Sequence, residues 1–288
     1  MNHHCIAGIV TYNPELDRLK QNIDAIEDQV DSVLIVDNGS ENENEIKDIA
    51  AKYKTVTVIT NGKNMGIAYA MNQIGDQASE MESPFFLTLD QDSVADEGMV
   101  DKLLELFADS HVGGVSPNII NANDRTESQN EVEKISIAIS SGFIVRTELW
   151  KEIGGFWDFL FIDEVDHEFC FRIREKGYSV VRRFDTCIDH KIGEPRTKNV
   201  LGHEYKLTNH SAFRRYYITR NNIIMRYLFP EERSGLYANL YERLIKLIIS
   251  ILLCERDKLR KITAIIRGIA DGRKWCLKNQ TVFERRLR

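Results

Sequence analysis

Two clusters of side chains in this sequence have the types and spacing to do chemistry. In residues 85–98, FFLTLDQDSVADEG, a mostly apolar run ends abruptly in Asp90-Gln91-Asp92. On an extended segment residues i and i+2 point to the same face, so Asp90 and Asp92 can address one ion while Gln91 faces away. Hard carboxylate oxygens suit Mg2+ or Mn2+, a cation held for chemistry. The rival reading is a stop signal, with Asp92 or Ser93 capping a helix that starts near Asp96. The second cluster, FLFIDEVDHEFCFRIREKGY, places Asp163, Glu164, Asp166 and Glu168 within six positions. An acidic helix start suits the macrodipole. The aromatic residues Phe156, Trp157, Phe159 and Phe161 just before it suggest a partly desolvated wall, which would raise a carboxylate pKa and make a better general base.

These groups need elements to hold them. CIAGIVTY, SVLIVDN, TVTVIT and PFFLTLD read as strands, each followed by a helical pattern, at residues 14–29, 41–53, 66–78 and 96–108. The first helix carries Leu16, Leu19, Ile23 and Ile26 on one face. Continuous apolar strands separated by helices predict a parallel sheet covered on both faces, with ligands beyond the carboxyl ends of its strands. The loops at those ends are Thr11-Tyr12-Asn13-Pro14, Asp37-Asn38-Gly39-Ser40, Asn61-Gly62-Lys63-Asn64-Met65-Gly66 and Asp90-Gln91-Asp92. Each is also ordinary turn chemistry, with Ser40 a plausible helix cap. Together they predict polar groups converging on one crevice. An acceptor-only carboxylate at Asp37 suits the ring N–H of uracil or thymine, and Lys63 either contacts phosphate or is simply solvated. Further on, GGVSPNII and KISIAISSGFIVR read as strands, DEVDHEFCFRIREKG as an amphipathic helix closed by Gly177, and YSVVRRF as a strand. After about Leu207 the pattern is helical, broken at Pro230. The expected division is a catalytic domain over 1–206 and a helical region over 207–288.

In order and spacing, IVTYNP, VLIVDNGS, NGKNMGIAYAMNQI and LTLDQDS resemble the nucleotide-sugar-binding half of family 2 glycosyltransferases, over residues 6–196. The resemblance implies an inverting enzyme with the GT-A fold, a doubly wound, mostly parallel α/β sheet, here with a helical C-terminal appendage. In detail the sequence is most similar to bacterial rhamnosyltransferases that use dTDP-L-rhamnose in cell-surface polysaccharide synthesis, with a UDP-sugar of galactofuranose or glucose type as the rival donor. It implies Asp37 on the base, with Thr11, Tyr12, Asn13 and Asn38 around the nucleoside. Asn64 and Gly66 would let the chain approach the nucleotide-sugar, close approach being what a missing side chain permits. Asp90 and Gln91 would meet the donor, and Asp90, Asp92 and His190 the metal. Arg196 offers a guanidinium fork to the diphosphate. Asp163 is assigned as the base, with Glu164 its rival because the family's commoner Glu-Asp order puts the base there. Asp166 either orients the acceptor or pairs with Arg172 or Arg174. Ser140-Ser141-Gly142 is expected on the acceptor side, and Trp150 and Trp157 either stack on a sugar or pack in the core. The acceptor expected is a glycan or a polyprenyl-diphosphate-linked sugar. Two other classes compete, a nucleotidyltransferase and a non-catalytic sugar-nucleotide-binding module. The first usually has a Gly-rich basic loop after strand one, which TYNPELDRLK lacks, and the second would not need the acids around Asp163.

The bulk numbers bound the rest. The chain has 288 residues, 43% hydrophobic and 28% charged, ordinary for a globular protein. Its five cysteines are scattered with no CxxC pair, which points to a reducing compartment rather than a disulfide framework or zinc knuckle. MNHHCIAGIVTYNP has no secretory pattern, and His3 and His4 are read as terminal residues only. The net charge of −6 is uneven: residues 241–288 carry 13 Lys+Arg against 5 Asp+Glu, and residues 1–240 carry 25 against 39. An acidic body argues against nucleic acid, while the basic tail suits an anionic membrane surface. The tail's apolar stretches are too short to span a bilayer. Ile262, Ile265, Ile266 and Ile269 form a stripe with Arg260, Lys261, Arg267, Arg273 and Lys274 nearby, the pattern of an interfacial helix. A helical hairpin packed on the body or on a second subunit, in a homodimer, is the alternative. The expected location is the cytoplasm, at the inner face of the plasma membrane.

Overall fold

The computed structural model describes residues 4–121, 124–125, 128, 130–190, 196–200 and 203–279, with backbone alone at 121, 124–125, 196–200 and 203–206. The chain divides into two compact units. The first is Met1–Phe161 with Val165–Ile192, and the second is Ile162–Glu164 with Gly193–Arg288.

The first unit runs β1 (Cys5–Thr11), α1 (Leu16–Ile26), β2 (Ser32–Asp37), α2 (Glu43–Ala50), β3 (Val56–Thr60), α3 (Ile67–Glu80), β4 (Phe85–Asp90), β5 (Ser93–Ala95) and α4 (Met99–Glu105). It continues with β6 (Val112–Asn121), β7 (Asp124–Arg125), β8 (Val132–Ile135), β9 (Phe143–Arg146), α5 (Thr147–Glu152), α6 (Val165–Glu175) and β10 (Ser179–His190). The strands form one sheet of order β3-β2-β1-β4-β9-β6-β10-β5, with β7 on β6 and β8 on β10. Strands β3, β2, β1 and β4 are mutually parallel, as continuous apolar runs between helices require. Beyond β4 the sheet becomes mixed, because β9 pairs antiparallel with both β4 and β6. Ile9, Val33, Ile35, Leu87 and Leu89 from the sheet close a core with Leu19, Ile23 and Ile26 of α1. Spaced by three and four, these α1 residues form the single apolar face that the sequence shows.

Several expected elements change. KISIAISSGFIVR forms two separate strands, β8 and β9, rather than one. The helix expected from Asp96 begins at Met99, after Gly98 in the left-handed region (φ 68°), and its last turn, Leu106–Ala108, is 3-10. Neither Asp92 nor Ser93 caps it, since Ser93 lies in β5. Ser40 does not cap α2, whose N-cap is Asn42. The strand expected at YSVVRRF runs on to His190, across a register shift between Arg183 and Cys187.

The second unit contains a hairpin of β11 (Arg196–Val200) and β12 (His203–Leu207), then α7 (Ala212–Leu228), α8 (Leu240–Cys254) and α9 (Lys258–Lys278). Ser211 caps α7 by accepting from the Arg214 N–H at 3.2 Å. Helices α7 and α9 pack closely because Gly268 and Gly272 face α7. A Cβ at either would sit 2.7 Å from the Tyr216 carbonyl oxygen or 3.0 Å from that of Arg220. A buried ionic triad ties the three helices: Glu255 accepts from Arg215 at 2.8 Å and from Lys261 at 2.7 Å. Part of the tail's basic charge is thus internal. The Ile262–Ile269 stripe is largely internal too, with Ile265 fully buried and only Ile266 well exposed. The alternative of a packed helical hairpin describes α9 better than an interfacial helix does.

Candidate metal and donor site

The end of β4 delivers Asp90 and Asp92 as the sequence predicts, and β10 delivers the third group. Antiparallel pairing of β10 with β5 sets His190 opposite Ser93. His190 Nδ1 lies 3.3 Å from Asp92 Oδ1, and Nε2 lies 3.7 Å from Asp90 Oδ2. One ligand atom from each of Asp90, Asp92 and His190 lies within 4.8 Å of the others. Desolvation pushes the Asp90 carboxyl up, reinforced by Asp92 and Asp166 against the pull of His190. Burial opposes charge on both His190 and Asp92, yet their contact wins, raising the imidazole and lowering the Asp92 carboxyl. Two half-buried carboxylates around one imidazole form a donor set that fits a divalent cation with oxygen preference.

The surroundings of the triad were not legible in the sequence. Arg18 and Asn22, four residues apart on α1, are buried beside its apolar face. Arg18 Nε donates to the Asp92 carbonyl at 2.7 Å, and its Nη2 donates to the Asp189 carboxylate at 2.8 Å. Asn22 donates to the Asp90 carbonyl at 2.8 Å. One helix therefore grips both segments that carry the ligands. Polar residues at i and i+4 flanking the apolar stripe were the available signal. Ser141 is fully buried and makes a short bond to Ser93 Oγ, which in turn reaches His190 Nδ1 at 3.1 Å. Ser140 Oγ donates to Asp90 at 3.3 Å. The Ser-Ser-Gly segment thus supports the loop that carries Asp90 and Asp92.

The donor-loop residues do come together, but mostly by bonding to one another. Register places Thr11 opposite Asp37, and Thr11 Oγ1 donates to its carboxylate at 2.9 Å. Asp37 also accepts from the Ser40 hydroxyl and from the N–H groups of Gly39 and Ser40. Its carboxylate is fully buried with four internal donors, which makes it an organiser of its own loop. Asn38 knits β2 to the next loop: it donates to Asn64 and the Gly66 carbonyl and accepts from the Met65 N–H. Asn13 accepts from the Glu41 N–H, and Gln91 accepts from the Tyr12 N–H. Tyr12 itself is half exposed. Gly66 is required by its protein neighbours, since at φ 93° a Cβ would meet the Phe161 carbonyl oxygen at 2.7 Å. Trp150 is core, edge-on to Phe86, and Trp157 packs on Phe159. The Arg196 side chain and residues 191–195 lie outside the described residues.

The acidic cluster is divided. Asp166, at the start of α6, accepts from the Ser140 N–H at 3.2 Å and from the His167 N–H. It bears electrostatically on Asp90. Arg172 pairs with Glu168, one turn earlier, rather than with Asp166. Asp163 and Glu164 instead belong to the helical unit. Arg214 donates to both Asp163 oxygens, with Nη2 at 2.8 Å and Nε at 3.1 Å. Glu164 accepts from the Tyr237 hydroxyl and from Asn222. Asn221, fully buried, donates to the carbonyls of Ile162 and Asp163, each at 2.9 Å, and its own oxygen accepts from Arg220. This grip holds an unusual backbone: Phe161, Asp163 and Glu164 have φ of 66°, 61° and 69°. For residues with a Cβ such angles are costly and persist only when surroundings impose them.

Comparison with known proteins decides the family. Residues 7–175 match the model for Glycosyl transferase family 2. The chain is a family 2 glycosyltransferase. The match covers most of β1, the strands β2 to β9, the Asp-Gln-Asp turn and all of α6, ending short of β10 and His190, and it sets aside the nucleotidyltransferase reading. Across 94% of this glycosyltransferase and 96% of the relative, the chain is 30% identical to the dTDP-rhamnosyl transferase RfbF of Shigella flexneri. Among solved structures it is similar to GalNAc-T7 with UDP, GalNAc and Mn2+ (TM-score 0.56, 14% identity), covering 84% of this chain and about half, 54%, of that one. It is also similar to Staphylococcus aureus TarS 1–349 in complex with UDP (TM-score 0.52, 16% identity), covering 92% of this chain and 70% of the other. These likenesses establish the GT-A fold of the glycosyltransferase, with a helical C-terminal region added.

Proposed function

We propose that this glycosyltransferase moves L-rhamnose from dTDP-L-rhamnose, with inversion, onto a glycan or polyprenyl-diphosphate-linked acceptor in cell-surface polysaccharide synthesis. The observation that carries this reading is 30% identity, over nearly the full length of both chains, to a dTDP-rhamnosyl transferase. Asp90, Asp92 and His190 would hold Mg2+ or Mn2+, which when bound supplies positive charge to the departing diphosphate. Arg18 and Asn22 fix the backbone that presents those ligands. Tyr12, Asn13, Asn64 and Gln91 edge the donor loops, with Thr11, Asp37 and Asn38 setting their shape, and Arg196 is assigned to the diphosphate. Asp163 takes the proton from the acceptor hydroxyl as that oxygen attacks the anomeric carbon. Arg214 fixes the orientation of Asp163, and Asn221 fixes its backbone. Glu164 is the alternative base, and Asp166 bears on the acceptor side of the metal group. The enzyme would work in the cytoplasm at the inner face of the plasma membrane, where a lipid-linked acceptor is presented.

A screen of sugar nucleotides for Mn2+-dependent hydrolysis and transfer tests the reading. Turnover of dTDP-L-rhamnose above all UDP-sugars is expected. Preferential use of UDP-glucose or UDP-galactofuranose would replace the donor assignment and leave the family intact.

A further inference from the structure

Helix α8 is apolar on two sides, and only one of them has a partner within the chain. Leu240, Leu244 and Ile251 point inward and are buried. Tyr241, Ile245, Ile249, Leu252 and Leu253 follow at helical spacing on another face, and all are exposed, Ile245 by 59%. Leu259, just past the helix, is 82% exposed. Glu242, Arg243 and Lys246 take other exposed positions of the helix, and a contiguous exposed apolar patch beside them marks a contact surface.

Charge says what covers it. At one end of the stripe the Arg273 guanidinium lies 5.5 Å from the Tyr241 ring centre. At the other, Leu252 and Leu253 lead into a turn that carries the exposed cations Arg256, Lys258 and Arg260, with Asp257 the one exposed acid among them. Glu255 of the same turn is buried against Arg215 and Lys261 and cancels none of these cations. Both ends of the stripe are therefore basic. Any twofold self-pairing through this face would bring cations against cations, since an isologous contact uses the same patch twice. An anionic lipid headgroup layer instead matches the apolar stripe and both basic ends. The 15-residue helix is about 22 Å long at 1.5 Å per residue, and no helix among the described residues is long and apolar enough to cross a membrane. It suits lying in the interface.

We infer that the outward face of α8, flanked by Arg273 and by Arg256–Arg260, is the surface by which this enzyme docks on anionic phospholipid. The proposal deepens the lipid-linked-acceptor reading above, which it rests on for its purpose but not for its test. The full-length protein is sedimented with vesicles of phosphatidylcholine alone or of phosphatidylcholine with phosphatidylglycerol, at low and high salt. The parent should pellet with the phosphatidylglycerol vesicles at low salt, and about tenfold less with phosphatidylcholine or at high salt. The double variant Ile245→Glu, Ile249→Glu should lose that binding while hydrolysing donor at the parent rate. A second variant, Arg256→Glu with Arg260→Glu, should lose the salt-sensitive part without touching the apolar face. Equal pelleting of the Ile245→Glu, Ile249→Glu variant, or indifference to phosphatidylglycerol, would overturn the proposal. So would a parent that is dimeric in sedimentation velocity and becomes monomeric in that variant without ever binding vesicles. Lipid binding by a protein that transfers no sugar would instead count against the functional reading and leave the surface standing.

Discussion

The two acidic regions of this enzyme are built on opposite electrostatic plans. At the end of β4, Asp90 and Asp92 face a single histidine and each other, so negative charge accumulates there, offset by His190 and, at Asp92, by Arg18. In the helical unit, Asp163 and Glu164 each have their own partners, Arg214 for the first and Tyr237 with Asn222 for the second. A cluster that repels itself is completed by a cation. Asp163 is paired with a guanidinium and Glu164 is held by a hydroxyl and an amide, so what these surroundings supply is orientation. In the function proposed above, the first region does the metal and leaving-group work and the second the proton transfer.

The sharpest way to break this comparison is Asp163→Asn. Transfer should fall by about 10²–10⁴-fold, the usual worth of a positioned general base, while calorimetric donor and Mn2+ affinities stay at the parent value. Full activity would remove Asp163 from the chemistry and turn attention to Glu164 or Asp166. The reciprocal change, Asp92→Ala, should weaken Mn2+-dependent donor binding by roughly 10²-fold, at or above the range seen for groups that merely support metal ligands. Donor binding equally tight with and without metal in the parent would contradict the cation assignment.

Smaller effects separate the supports. Arg18→Ala should cost about tenfold in Mn2+ affinity, and Asn221→Ala roughly tenfold or more in kcat at unchanged donor KM. If either substitution moved both quantities together, the two regions would not be independent. A graded effect is expected from pH. His190 and Asp90 hold their protons to higher pH than usual in the metal-free site, and a protonated group cannot ligate. Mn2+ affinity should therefore rise with pH and approach a plateau above the raised His190 pKa, changing by at most about tenfold per pH unit for each proton displaced. Titration calorimetry in buffers of different ionisation enthalpy reads that proton release directly. Affinity that falls as pH rises would refute the linkage.

The first half of the fold was legible because its signals are local. An apolar run followed by an Asx-rich turn and an amphipathic helix fixes a parallel strand and its polar end within about twenty residues of chain. The split of KISIAISSGFIVR into β8 and β9 was marked by Ser140-Ser141-Gly142, a turn signal that the reading of the segment as one strand passed over. In the site, Asp90 and Asp92 could be read from i, i+2 spacing, whereas His190 entered only through the family resemblance. Asp37 and Gly66, read as nucleotide residues, also have work within the chain, Asp37 through four internal donors and Gly66 against Phe161. Carboxylates and glycines serve ligands and turns with the same atoms, and sequence alone cannot divide that labour.

By itself the sequence determined the alternation of strands and helices, the placing of polar loops along one sheet edge, the Asp-Gln-Asp turn and the basic excess of the C-terminal region. Those properties depend on residue order, side-chain period and summed charge. Only the tertiary structure decided that α1 grips the metal loop through Arg18 and Asn22. The same holds for the gathering of Asp163 and Glu164 into the helical unit by Arg214, Asn221 and Tyr237, and for the turning outward of α8 rather than the Ile265 face of α9. Each of these joins segments tens of residues or more apart. Hydrogen bonds and burial act over a few ångströms of space, so a contact between distant segments exists only once the chain has folded to bring them together.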